Sequence, residues 1–254
     1  MTGSTVTIGV SLKMYFGLAQ SLAWFDEVAR VAVADASVAS GAVELFVIPD
    51  FVAIDAARRA FDGTPVVVGA QDLATEDAGA FTGEVSGAVL AEVGVGVVEV
   101  GHAERRRLFH EDDTVVAAKT RAALRNGVAP VLCIGETERG SAAAAVTECL
   151  RQLDDALAGA VDGRVIVAYE PVWAIGAPVP APAEHIRAVS AALKAAVAEW
   201  SGRDGSIVIY GGSAGPGLLH ELGADVDGLF LGRFAHDPVA LAAVLAEAGE
   251  VAAA

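Results

Sequence analysis

The fold class predicted is α/β, a closed (β/α)8 barrel in a single domain over residues 1–254. Three observations predict it. Eight nearly continuous apolar runs alternate with eight Ala-rich stretches of helical period. The repeat averages roughly thirty residues, the length of a βαβ unit. No linker, charge block or change of composition interrupts the series. Runs that are apolar on both faces suit a parallel sheet covered by helices. Eight such units in this length fit a barrel better than a doubly wound sheet.

The predicted strands are residues 5–10, 43–48, 65–70, 95–100, 128–134, 164–169, 206–210 and 226–231. After the first, residues 21–36 set Leu22, Phe25, Val28, Ala29 and Ala32 on one helical stripe. Shorter helices are expected at 51–61 and 87–93. Residues 113–126 end on Asn126-Gly127, a C-terminal stop signal. Residues 142–158, 183–201 and 238–248 read as helices, and 216–222 as a short one.

Composition narrows the function. The chain is 54% apolar and 20% charged, so it has a core to bury and is not disordered. No apolar run reaches membrane-spanning length, and no membrane role is expected. Residues 1–4 show no basic stretch leading into an apolar one, so no secretory leader is expected. Cys133 and Cys149 lie sixteen positions apart with no histidine nearby. They make neither a disulfide framework nor a metal site, and a reduced cytoplasmic setting follows. No metal and no cofactor is expected. The net charge of −16, with only three lysines, argues against nucleic acid. It admits a small anion if local positive charge or backbone N–H groups meet it.

Chemistry in such a barrel belongs where strands end. Strand 1 is followed by Ser11-Leu12-Lys13-Met14, strand 4 by Gly101-His102-Ala103-Glu104-Arg105-Arg106, and strand 6 by Glu170-Pro171. Glu170 is either a solvated strand-end acid or a general base beneath an apolar cover. Lys13 is either a surface cation or a cation at the mouth of the barrel. His102 stands where a helix would begin, which disfavours imidazolium and leaves a neutral ring able to donate. The turns Tyr210-Gly211-Gly212-Ser213 and Leu231-Gly232-Arg233 follow the last two strands, a common place for phosphate. Arg233 is either a phosphate ligand or a solvated surface group. Cys133-Ile134-Gly135-Glu136, after strand 5, reads as mainly structural. Residues 71–86 form a long aperiodic loop. An acid, an imidazole, an ammonium and a phosphate cradle on one rim suit proton transfer beside a carbonyl.

These motifs, with Ala168-Tyr169-Glu170-Pro171-Val172-Trp173-Ala174-Ile175-Gly176, resemble the triosephosphate isomerase family over essentially the whole chain. The resemblance implies a TIM barrel in which Glu170 is the base, His102 the electrophile and Lys13 the balancing cation. It makes Glu104 a partner of Lys13. Pro171, Val172, Trp173, Ala174 and Ile175 become the front of a closing lid that runs to Pro178. Backbone near Gly176, Ser213, Gly232 and Arg233 would hold the phosphate of a small sugar. The family is dimeric, which implies a homodimer through the 71–86 loop with Thr82 at its tip.

The departures cluster at the substrate. Ser11 stands where the family has Asn, Leu12 where Trp is usual, and Ala103 where Ser is usual. After Gly176 the lid continues Ala177-Pro178-Val179-Pro180 instead of Thr-Gly-Lys, and Gly232-Arg233 replaces Gly-Gly. Several of these resemble the tetrulose-phosphate isomerases of bacterial erythritol catabolism, which interconvert L-erythrulose 1-phosphate and D-erythrulose 4-phosphate. That substrate adds a hydroxymethyl group to a triose phosphate, and the smaller Ser11 would make room for it. The alternatives are a classical triosephosphate isomerase of glycolysis with an altered rim, and an inactive sugar-phosphate-binding barrel.

Overall fold

The structure, a computed structural model, describes residues 5–254. The reading of residues 1–4 as lacking a secretory leader falls outside the described residues. Eight parallel strands close in sequence order: β1 (Val6–Ser11), β2 (Val43–Ile48), β3 (Val67–Ala70), β4 (Val97–Val100), β5 (Ala129–Ile134), β6 (Ile166–Tyr169), β7 (Ile207–Tyr210) and β8 (Gly228–Leu231). Strand β1 pairs with both β2 and β8, which closes the barrel. All strands but β2 begin one or two residues later than the apolar runs suggest. In β1 that shift brings Ser11 into the strand.

Among the described residues, ten helices surround the barrel. They are α1 (Leu18–Ala34), α2 (Ala36–Ser40), α3 (Ile54–Ala60), α4 (Gly87–Glu92), α5 (Ala103–Phe109), α6 (Asp113–Arg125), α7 (Ala142–Leu157), α8 (Ala183–Ala198), α9 (Leu218–Leu222) and α10 (Pro238–Ala252). Two of them have no apolar stripe to announce them. At α2 the expected 21–36 helix breaks, because the Asp35 carboxylate accepts from the amides of Ser37 and Val38 and starts a new turn. At α5 no residue is buried. Helix α10 runs four residues past the expected 248 and buries Ala248 and Ala252. The expected 51–61 helix opens as a 3-10 turn at Phe51–Ala53.

Side chains alternate across each strand. One set, including Val10, Val47, Val98, Leu132, Val167 and Val208, joins the core beneath the helices. The other fills the barrel with Phe46, Ile48, Val97, Val131, Cys133, Ile166, Ala168, Ile209 and Phe230. Gly9 is part of that fit, since a Cβ there would fall 2.1 Å from the Phe46 ring. The barrel is therefore plugged by apolar side chains. Polar groups stand at its two ends: Thr7, Glu44 and Arg164 bond to one another at the N-terminal end, and at the C-terminal mouth Ser11 and Glu99 continue the inward-facing sets begun by Gly9 and Val97.

Candidate active site

The ends of β1, β4, β6, β7 and β8 open on one cavity of about 630 Å3. Ser11, Lys13, His102, Glu104 and Glu170 line one side of it. Val172, Ile175, Gly176, Ser213, Gly232 and Arg233 line the other. Pro171, Trp173 and Ala174, from the same segment as Val172 and Ile175, lie outside that lining.

Lys13 leaves β1 with φ of 49°, a left-handed conformation that a non-glycine residue adopts at a cost. Gln71 fixes it by donating from Nε2 to the Lys13 carbonyl at 2.9 Å. Nζ then reaches Glu104 Oε1 at 3.1 Å and comes within 3.2 Å of His102 Nε2. Burial alone would lower the ammonium's pKa, but Glu170, Glu104 and Glu99 more than reverse this and raise it. Lys13 is a permanent cation here.

His102 caps α5, and its Nδ1 accepts from the Glu104 amide at 3.1 Å. A neutral ring that accepts at Nδ1 carries its hydrogen on Nε2. Burial first, and the Lys13 charge second, push its pKa down to about 4, so the ring is neutral at physiological pH. Nε2–H and the Lys13 ammonium are then two donors 3.2 Å apart, both facing the cavity, and the arrangement suits an oxygen placed against both. Helix α5 buries nothing and is tied down by charge. Arg105 bridges Asp72 at 2.7 Å and Glu111 at 2.6 Å, and Arg106 bridges Asp113 at 2.7 Å. The buried Lys119 ammonium joins Asp72 and Glu111 from below.

Glu170 is 4% exposed. A Cβ at Gly211 would lie 2.6 Å from the Glu170 carboxyl oxygen, so only glycine lets the carboxylate rest against that chain. Oε2 has no hydrogen-bond partner among the described residues and stands 3.7 Å from His102 Nε2. Burial raises the pKa to about 8; Lys13 opposes the shift and Glu99 reinforces it. A buried, basic carboxylate with a free oxygen can take a proton from carbon.

The segment after Glu170 forms a 3-10 turn, Val172–Ala174. Its anchor is Glu136. That carboxylate accepts from Trp173 Nε1 at 2.8 Å and from the Tyr169 hydroxyl at 3.2 Å, and meets His185 Nε2 at 2.9 Å. The Glu136 carbonyl also accepts from the Val172 amide at 3.0 Å. The structural reading of residues 133–136 is thereby sharpened, since Glu136 holds the turn that follows Glu170. At the rear, the Ser213 hydroxyl lies 2.7 Å from the Ala177 carbonyl and 3.2 Å from that of Ala174. That hydroxyl's hydrogen is committed to the segment after Glu170. Farther on, the Tyr210 hydroxyl accepts from the Ala181 amide at 3.3 Å.

Arg233 is exposed, lies over the Tyr15 ring at 5.9 Å and stands next to Gly176, where a Cβ would be 3.7 Å from its guanidinium. It makes no ion pair among the described residues. Ser11 is the deepest of the expected contacts, and its hydroxyl donates to Glu99 Oε2 at 2.8 Å. Sequence reasoning missed Glu99, although a single charge inside Val97-Val98-Glu99-Val100 was the available signal. Among the described residues no cluster of His, Cys, Asp and Glu could hold a metal ion.

Comparison with known proteins agrees with this geometry. A family model of triosephosphate isomerase matches residues 6–248. The L-erythrulose-1-phosphate isomerase of Pectobacterium atrosepticum is 50% identical, over 98% of this chain and 97% of its own length. The triosephosphate isomerase of Symbiobacterium thermophilum is 43% identical over 83% of this chain and 86% of its own. The crystal structure of triosephosphate isomerase from Bartonella henselae superposes with a TM-score of 0.81 at 27% identity, covering 96% of this chain and 99% of that one. The closed barrel, its strand-end constellation and a match over nearly the whole length place this chain in the triosephosphate isomerase family.

Proposed function

We propose that the chain is a cofactor-independent isomerase that converts L-erythrulose 1-phosphate to D-erythrulose 4-phosphate. The observation that carries the enzyme reading is the buried Glu170 carboxylate, with one oxygen unpartnered and two cavity donors beside it. The tetrulose reading is supported by the 50% identity to a relative of that name and by the small Ser11 at the cavity floor.

In this reading the phosphate is received by backbone near Gly176, Ser213 and Gly232 and by the Arg233 guanidinium. The substrate carbonyl lies against His102 Nε2–H and the Lys13 ammonium. Glu170 removes the proton from the neighbouring hydroxyl-bearing carbon, and the electron pair moves to the carbonyl oxygen to give an enediolate. His102 donates to that oxygen and carries a proton between the two. Glu170 returns its proton to the other carbon, so the carbonyl has moved one position. The apolar lid excludes water, which keeps the base strong and the enediolate intact. Glu104 holds Lys13 in place. The substrate is thus a small phosphorylated sugar. The chain works in the cytoplasm, consistent with two free cysteines, and as a homodimer through the exposed tip of the 71–86 loop.

The second reading, a triosephosphate isomerase, is favoured by the relatives of that name at similar coverage. Substrate profiling separates them. A kcat/KM higher for tetrulose phosphate than for dihydroxyacetone phosphate supports the first, and the reverse order overturns it. Absence of turnover on both leaves a sugar-phosphate-binding barrel.

A further inference from the structure

The middle of the barrel is filled by apolar side chains, and just above them, toward the mouth, stands the carboxylate of Glu99. Glu99 is 3% exposed and projects from β4 into the barrel. Its hydrogen-bond partner among the described residues is the Ser11 hydroxyl, 2.8 Å away on β1. Strands β1 and β4 are not neighbours, so this bond crosses the inside of the barrel. A carboxylate in such a place costs stability, which an apolar residue would have avoided. Neither the base, nor the imidazole, nor the ammonium hydrogen-bonds to it, although its charge is felt at Lys13 and Glu170.

What Glu99 does control is the direction of the Ser11 hydroxyl. A serine has one hydrogen to give and two lone pairs to offer. When the hydrogen is committed to the carboxylate, the oxygen lining the cavity has only lone pairs left for a ligand. We propose that Ser11 and Glu99 form a specificity-determining floor, in which Glu99 turns Ser11 into a fixed hydrogen-bond acceptor for the terminal hydroxyl of a four-carbon sugar phosphate. This rests on the tetrulose-phosphate reading. A triose phosphate ends one carbon earlier and has no hydroxyl to give at that position. Both groups sit on strands, so the acceptor is held rigidly beneath the reacting carbons.

The test is the ratio of kcat/KM on tetrulose phosphate to kcat/KM on triose phosphate, measured at about pH 8, on the side that favours the carboxylate. Removing a nearby negative charge shifts the base for both substrates alike, and that common effect cancels in the ratio. Ser11→Ala and Glu99→Leu are each expected to lower the ratio about tenfold or more, and the double variant no further, because the two groups act as one. A ratio that Ser11→Ala leaves within about twofold of wild type overturns the proposal, whether or not Glu99→Leu folds. Losses that multiply in the double variant overturn the pairing. A wild-type enzyme that turns over only triose phosphate overturns the underlying substrate reading before any variant is made.

Discussion

On one side of the cavity Lys13, His102 and Glu170 stand on the ends of β1, β4 and β6. On the other, Gly176, Ser213 and Arg233 stand on turns and on the segment after Glu170. His102 and Glu170 are 5% and 4% exposed, whereas Arg233 is open to solvent. The buried side gains its chemistry from desolvation. The same loss of water that lowers the imidazole pKa to about 4 raises that of the carboxylate to about 8. The open side cannot use desolvation, and has backbone N–H groups and the exposed Arg233 charge instead. A change on the buried side should therefore strike the chemical step, and one on the open side should strike substrate capture.

Glu170→Gln should have the largest effect, cutting kcat by about 10⁴-fold because the base is lost while the fold is kept. A variant retaining more than a tenth of wild-type turnover would remove Glu170 from the role of base. The same substitution bears on stability. Glu170 has a folded pKa of about 8, above its ordinary 4.5, so the folded state holds the extra proton between those values. Stability from this group is therefore fullest below about pH 4.5 and is lost as pH rises toward 8. Gln carries no charge to desolvate, so its variant should melt higher than wild type at pH 8 and nearly with it at pH 5. In wild type, kcat/KM should fall about tenfold per pH unit below pH 8, as the base is protonated. A flat profile down to pH 6 would show that the free enzyme's base is more solvated than its burial implies.

His102→Gln is next. It keeps a donor but cannot carry a proton between two oxygens, and kcat should fall about 10²- to 10³-fold with KM changed little. A rise in KM matching that fall would make His102 a binding group. Glu136→Ala ranks below it, because it acts on the chemistry only through the segment proposed to close over the substrate. Tyr169, Trp173 and His185 lose their shared acceptor. The expected loss in kcat is about tenfold, with a lower melting temperature from the stranded donors. Unchanged turnover together with a lower melting temperature would confine Glu136 to holding the fold.

The strands were legible because both faces of each are buried, which writes itself as a run of apolar letters. Lys13, His102 and Glu170 were legible because each follows such a run. Helices α2 and α5 were not, because the Asp35 cap and the Arg105 and Arg106 ion pairs hold them instead of an apolar stripe. The contacts of Glu136 were not legible, because Tyr169, Trp173 and His185 lie 33 to 49 positions away. Glu99 carried a local signal, a charge within a strand, but its partner Ser11 is 88 positions away and becomes visible only when the barrel closes.

Arg233→Gly sharpens the comparison from the open side and should have the smallest effect. The guanidinium rests over Tyr15 and reaches toward Gly176, the two edges between which a phosphate would enter. It is exposed, so its attraction is screened. At low ionic strength KM should rise about threefold to tenfold with kcat nearly unchanged, and at about 1 M salt the variant and wild type should converge. Replacement by glycine also restores the Gly-Gly turn of the family, so the backbone cradle is kept and the loss reports the side chain. A KM that does not move at low salt would leave Arg233 as a partner of Tyr15 and assign phosphate capture to the backbone of Gly176, Ser213 and Gly232. A fall in kcat equal to the rise in KM would instead mean that the charge acts in the transition state, and the division between a buried chemical side and an open capturing side would have to be given up.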